Sequence, residues 1–293
     1  MKKHLPLFIF LFGITYTFSQ VAPTSDIEKE RNEIIDALFQ EDIVIDELLA
    51  SLTHYQFLYF SVNYSNDTYF SGRDIGINQY NIKPQITYLN SNGIFASLYG
   101  IYYSGFDPKW DVTSATIGYG NNFGKKKMFK YYASYSNYFN NNSISNIYKN
   151  DLSVGLSVRN EKKTISTQIT GSYLFGKEQS FQIASISYIT LNLLKTKKYK
   201  LDLKPQLNII AGKQTIELAQ KSYFQMGQEI ITYTKNDVFN LINTQLNIPL
   251  QFNTNSFDFE LGYNINFPTE IGNESNLKNT SFLNLSVGYL MDF

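Results

Sequence analysis

From residue 54 onward the chain is a train of alternating apolar and polar residues, and its last run is the most regular. In "SFLNLSVGYLMDF", residues 281–293, the apolar positions are Leu283, Leu285, Val287, Tyr289, Met291 and Phe293, and between them stand Asn284, Ser286, Gly288 and Asp292. From Leu283 onward only Leu290 breaks the rule. A period of two is that of an extended strand with one apolar and one polar face, because successive side chains point to opposite sides. Strands of soluble sheets most often run to about 5–6 residues, and chain ends usually fray. An alternation this long, ending on an apolar side chain, needs an apolar medium to face.

The same pattern recurs upstream. It is clean over 151–159 (Leu152, Val154, Leu156, Val158), 163–175 (Ile165, Ile169, Tyr173, Phe175) and 199–211 (Tyr199, Leu201, Leu203, Leu207, Ile209). It is equally clean over 238–252 (Val238, Ile242, Leu246, Ile248, Leu250, Phe252) and 257–267 (Phe257, Phe259, Leu261, Tyr263, Ile265, Phe267). Runs with aromatic residues on both faces lie near 54–65, 79–90, 93–104, 110–120, 127–139 and 179–193. That predicts about twelve strands, many near the roughly 10 residues that a tilted strand needs to cross a bilayer.

The connections form two classes. Short polar turns, "NSNG", "NNFGKK", "NEKK", "KTKK" and "NTNS", alternate with a second set. Most of that second set are longer, including "NDTYFSGRDIGINQ", "NNNSISNIYK", the excursion 212–237 and "PTEIGNESNLKN". A meander with two unlike ends matches a barrel with short periplasmic turns and longer external loops. Strands can cross hydrocarbon only when every backbone donor and acceptor is paired, which requires closure. The expected fold is therefore all-β: an antiparallel up-and-down transmembrane barrel of about twelve strands, with Tyr and Phe girdles at the strand ends. A soluble sandwich or propeller also alternates, but it accounts for neither the strand length nor the apolar terminus.

Composition narrows the function classes. The chain has 23 Tyr, 23 Phe, one Trp and no cysteine, and its formal net charge is zero. Without cysteine there are no disulfides, thiol nucleophiles or thiolate metal sites, and two histidines argue against a histidine-built metal centre. No basic excess favours nucleic acid. No cofactor is implied. Catalysis has little basis: His54 is the only histidine beyond the leader and falls on the lipid-facing parity near a turn. Asp151, Asp258 and Glu260 offer carboxylates, but no nucleophile is singled out.

The first residues read as a leader, 1–19: Lys2 and Lys3, then "LPLFIFLFGITY", with Thr17 and Ser19 before a cleavage point at Gln20. The apolar run is short of the roughly 20 residues of a membrane-spanning helix. Residues 20–53 are expected to carry a short amphipathic helix in the periplasm. Ser25 and Glu28 make a capping box, and Ile34, Ile35, Leu38, Phe39, Ile45, Leu48, Leu49 and Leu52 fall roughly on one face. The barrel is expected over 54–293. Its first strand turns Tyr55, Phe57 and Tyr59 inward, so the helix either plugs the lumen against them or docks on a periplasmic partner or the membrane surface.

In these features the chain resembles the outer-membrane β-barrel proteins of Gram-negative bacteria. Their last strand carries a signal read by the barrel-assembly machinery: a polar residue, any residue, glycine, any two, a hydrophobic or aromatic residue, any residue, and a terminal aromatic. It falls here on Ser286, Gly288, Met291 and Phe293, with Met291 where an aromatic is more usual. The resemblance implies location in the outer membrane, contact with its lipid and passage through the assembly machinery. It assigns no substrate. The lumen-facing parity carries Lys200, Asp202, Lys204, Gln206 and Asn208, then Asn243, Gln245, Asn247 and Gln251, and then Asp258, Glu260, Asn264 and Asn266. Lys200, Asp258, Glu260 and Asp292 are expected to ring its periplasmic half. Such a lining serves a narrow, porin-like channel for small polar solutes or ions, or a salt-bridged, non-conducting barrel that binds partners through its helix and long loops. Barrels of about eight strands are packed and those of about sixteen to eighteen hold a channel, so twelve does not decide.

Overall fold

The computed structural model describes residues 56–90, 92–124, 127–140, 147–223, 229–271 and 274–292. The expected leader, the helix of 20–53, His54, Tyr55 and Phe293 lie outside the described residues. Twelve antiparallel strands form one closed barrel. They are β1 (Phe57–Ser65), β2 (Asn81–Leu89), β3 (Ile94–Tyr103), β4 (Trp110–Phe123), β5 (Phe129–Asn140), β6 (Tyr148–Arg159) and β7 (Ile165–Gly176). Next come β8 (Gln179–Ile189, resumed as Leu191–Lys195), β9 (Lys200–Leu203, resumed as Gln206–Tyr223), β10 (Glu229–Asn253), β11 (Phe257–Pro268) and β12 (Thr280–Asp292). The break in β9 falls at Pro205, which has no backbone N–H to give the ladder. Every strand pairs with its sequence neighbour, and β12 closes on β1 from Phe57↔Asp292 to Ser65↔Asn284. That register puts both barrel termini at the short-turn end.

The exterior is the apolar face the sequence predicts. Leu152, Val154, Leu156 and Val158 on β6, Leu261 on β11, and Leu283, Leu285 and Val287 on β12 are all exposed. Aromatic contacts mark both rims. Near the turns Tyr119, Phe123, Phe129 and Tyr131 cluster, and so do Tyr199, Phe252, Phe257, Phe259 and Tyr289. Toward the loop end Tyr64, Tyr80 and Tyr102 do the same. Water would penalise so much exposed apolar surface, whereas hydrocarbon accepts it and the closed ladder leaves no edge. The chain forms a closed barrel whose apolar exterior is that of a membrane-spanning one.

Three expectations need correction or refinement. Leu290 is not a defect in the alternation: it points inward, as its parity requires, and packs beside Phe57, Leu89, Phe95, Tyr132 and Tyr59. Val238 and Ile242, expected on the lipid face, turn inward against Ala184, Ile186 and Ile210. The cause is a bulge: Ile210 pairs with Asn243 and Ala211 with Leu241, so Ile242 is the extra residue and parity reverses above it. Finally, the excursion 212–237 is mostly strand, since β9 and β10 stay paired from Gly212↔Asn240 to Tyr223↔Glu229.

Candidate functional site

The lumen is unequal across its width. From β2 to β8 the inward positions carry bulk. Near the short turns Leu89, Phe95 and Tyr132 are buried together with Phe57 from the start of β1. Toward the loops Tyr99, Ile101, Tyr103, Val112, Tyr138, Tyr148 and Leu174 form a second buried cluster. The polar inward residues between them pair across strands: Thr87 with Ser97 (3.0 Å), Thr116 with Ser136 (2.9 Å), Ser153 with Ser172 (2.6 Å) and Tyr132 with Thr170 (3.0 Å). Asp151 is fully buried in this half and accepts from Ser153 Oγ at 2.6 Å. This side of the barrel is a core. Phe95→Ala is expected to lower barrel stability by about 3–5 kcal/mol, the usual cost of emptying a packed aromatic site, read as an earlier midpoint in urea unfolding from liposomes.

The opposite wall, β9 to β12 with β1, carries amides instead. A cavity of about 370 Å³ runs along it from the turn residues Thr254, Asn255 and Ser256 to Ser65, Asp67 and Gly72 at the loop end. Among its lining are Asn63, Gln206, Asn208, Asn243, Gln245, Asn247, Gln251, Asn264, Asn266 and Asn284. Asn and Gln fit here because they are polar without the desolvation cost of a buried charge.

These amides form directed chains. Thr280 Oγ1 donates to the Gly72 carbonyl (2.9 Å) and accepts from Asn266 Nδ2 (3.0 Å). Asn266 Oδ1 accepts from both Gln245 Nε2 (2.9 Å) and Asn243 Nδ2 (3.1 Å), and Gln245 Oε1 accepts from Asn208 Nδ2 (3.0 Å). A backbone carbonyl can only accept, so this anchor orients every amide in the chain. A second chain ends on a carboxylate: Asn264 Nδ2 donates to Asn284 Oδ1 (2.7 Å), and Asn284 Nδ2 to Glu260 Oε1 (3.1 Å). Gln251 Nε2 reaches Glu260 Oε2 at 2.8 Å. Asp258 accepts from the Tyr59 hydroxyl at 3.1 Å.

The sequence-selected residues separate accordingly. Asp258 and Glu260 line the cavity, while Lys200, Asp202 and Lys204 do not. Lys200 pairs with Asp202, which also accepts from Asn192 Nδ2 at 2.9 Å, and Lys204 lies 4.1 Å over the Tyr188 ring. Asp292 closes the barrel through its backbone. Of the assembly-signal residues, Ser286 lines the cavity and Met291 faces outward. Gly288 is buried, and a Cβ there would lie 2.2 Å from Asp258 Oδ1 and 2.3 Å from the Tyr59 hydroxyl.

Sequence reasoning missed the element at the loop end. Residues Tyr69–Phe70 and Arg73–Asp74 pair as a hairpin around Ser71 (φ 47°) and Gly72 (φ 81°). Both angles are positive, as a tight type I′ hairpin turn requires, and glycine at the second position lets the backbone approach Asn243. The hairpin folds inward. Phe70 buries edge-on against Tyr103 in the filled half, with ring centroids 5.9 Å apart. On the amide side Arg73 donates to both oxygens of Glu274 (2.8 and 3.0 Å) and to the Thr269 carbonyl (2.9 Å). The Arg73 and Glu274 side chains are 7% and 26% exposed, so water screens the pair little. Burial, and then the hydrogen bond to Asp67, push the Tyr69 hydroxyl above its ordinary pKa, keeping it a neutral donor. In the sequence, "FSGRD" carried a turn signal, but nothing in it shows that the turn faces inward.

No family model and no curated protein matches the chain. Among solved structures it is similar to the NanC porin, at 11% identity over 80% of this chain and 98% of that one, with a TM-score of 0.47. It is similar to an outer membrane channel from Pseudomonas putida F1 (10%, 82% and 97%, TM-score 0.46) and to the KdgM porin (8%, 80% and 98%, TM-score 0.43). Likeness at this level assigns neither a solute nor a pore state.

Proposed function

We propose that the barrel is a narrow channel for small polar solutes or ions, with an off-centre passage along β9–β12 and β1 and a constriction at the loop end made by the hairpin Tyr69–Asp74. The cavity carries this proposal: it follows the amide wall from the short-turn rim to the underside of the hairpin. Its walls offer polar groups along that length, whereas a structural barrel would gain by packing this side as it packs the other. Purified protein in a planar bilayer is expected to give small ohmic steps. Persistent silence, with folding shown by heat-modifiable gel mobility, would overturn the proposal.

A further inference from the structure

Several donors of the amide wall are used internally, Asn208 Nδ2 among them, and several of its buried acceptors have no donor. Gln206 Oε1, Asn208 Oδ1 and Asn247 Oδ1 have no hydrogen-bond partner, although their residues are only 3%, 1% and 8% exposed. The three lie together. Gln206 and Asn247 are cross-strand partners, and Asn208 is two residues along on the same face. The Asn208 oxygen is held in that role by the chain anchored on Gly72, because its nitrogen is committed to Gln245. Buried acceptors without donors are costly, so a lumen wall that keeps three of them side by side is built for something that brings donors or positive charge. Toward the short turns the same wall adds the carboxylates of Asp258 and Glu260, and Glu260 already takes two amide donors. Asp67 also lines the cavity, and Lys83 is the one lysine among its described lining residues.

We propose that this wall is a cation site, and that the passage selects small monovalent cations over anions. Amide oxygens at Gln206, Asn208 and Asn247 replace part of the ion's hydration shell, while Asp258 and Glu260 draw cations to the short-turn entrance and repel anions. An anion would meet carbonyl oxygens and carboxylates together.

The proposal rests on the channel function for its selectivity, but not for its site, so two measurements separate them. In crystals of the full barrel soaked in rubidium bromide, anomalous scattering distinguishes the two ions. Rubidium is expected beside Gln206, Asn208 and Asn247, and bromide is expected to be absent there. In bilayers under a potassium chloride gradient, the reversal potential is expected to report cation preference, and Glu260→Gln is expected to reduce it several-fold while the barrel still folds. Bromide at the patch, no rubidium there, or anion-selective current would overturn the cation site. Rubidium in place but silent bilayers would sustain the site and overturn the channel.

Discussion

Arg73→Ala is expected to enlarge the conductance of the barrel and make it noisier, because this side chain makes the most bonds between the inward hairpin and the amide side of the lumen, beside the single bond from Thr280 to the Gly72 carbonyl. It would lose both bonds to Glu274 and the bond to the Thr269 carbonyl. Removing one partner of a poorly solvated ion pair costs about 3 kcal/mol. At about 1.4 kcal/mol per factor of ten, that shifts the balance between docked and undocked hairpin by roughly a hundredfold. Phe70 would still hold the other side, through Tyr103 and Phe106. The hairpin is therefore expected to swing rather than unfold, and the trace to flicker between the parent conductance and a larger one. Single-channel recording checks this, with Glu274→Gln as the milder companion. Unchanged steps in both variants would show that the hairpin does not constrict the passage.

Gly288→Ala is expected to impair folding, although alanine is common in strands. The added Cβ would sit 2.2 and 2.5 Å from the two Asp258 oxygens and 2.3 Å from the Tyr59 hydroxyl. The Asp258 side chain is held over the glycine by its bond from Tyr59. Overpacking of this kind costs about 1–3 kcal/mol, here at the seam where β12 closes on β1. The expected readout is a lower fraction of heat-modifiable barrel and an earlier urea midpoint. Adding Asp258→Ala is expected to restore most of both. If the pair remains as defective as Gly288→Ala alone, the Tyr59 hydroxyl rather than Asp258 is the group for which the glycine makes room.

Two residues of the expected assembly signal belong to the lumen wall. Ser286 faces the cavity and Gly288 makes room for Asp258. In the sequence these two residues read as parts of an address. The structure shows that they shape the lumen wall near the short turns.

How much was legible followed from the range of the interactions. Some strand positions came out within a few residues, 257–267 being observed as Phe257–Pro268 and 281–293 as Thr280–Asp292, but 199–211 continues to Tyr223 and 238–252 begins at Glu229. Alternation is a local property imposed by a medium that is the same all round the barrel. For that reason outward residues such as Leu156, Leu261 and Val287 could be named from parity alone. Parity failed at Val238 and Ile242, where one extra residue in β10 reversed it. A bulge depends on the partner strand, and the partner is not written in the run itself.

The lumen was only half legible. Asp258 and Glu260 line the cavity, whereas Lys200, Asp202 and Lys204, on the same parity, lie outside it. The aromatic residues on both faces of 93–104 and 127–139 were the visible sign of the filled side: Phe95, Tyr99 and Tyr132 are its packing.

By itself, then, the sequence determined an all-β chain with one lipid-facing and one interior face, its strand count and the two kinds of connection. Each follows from hydrocarbon accepting only closed, alternating strands. Tertiary structure alone decided which interior residues pack and which leave space. It also turned the hairpin of residues 69–74 inward and brought Arg73 to Glu274, 201 residues away in the chain. The lumen is a shared volume whose shape depends on side chains from all twelve strands meeting across it, so no single run, however regular, carries that information.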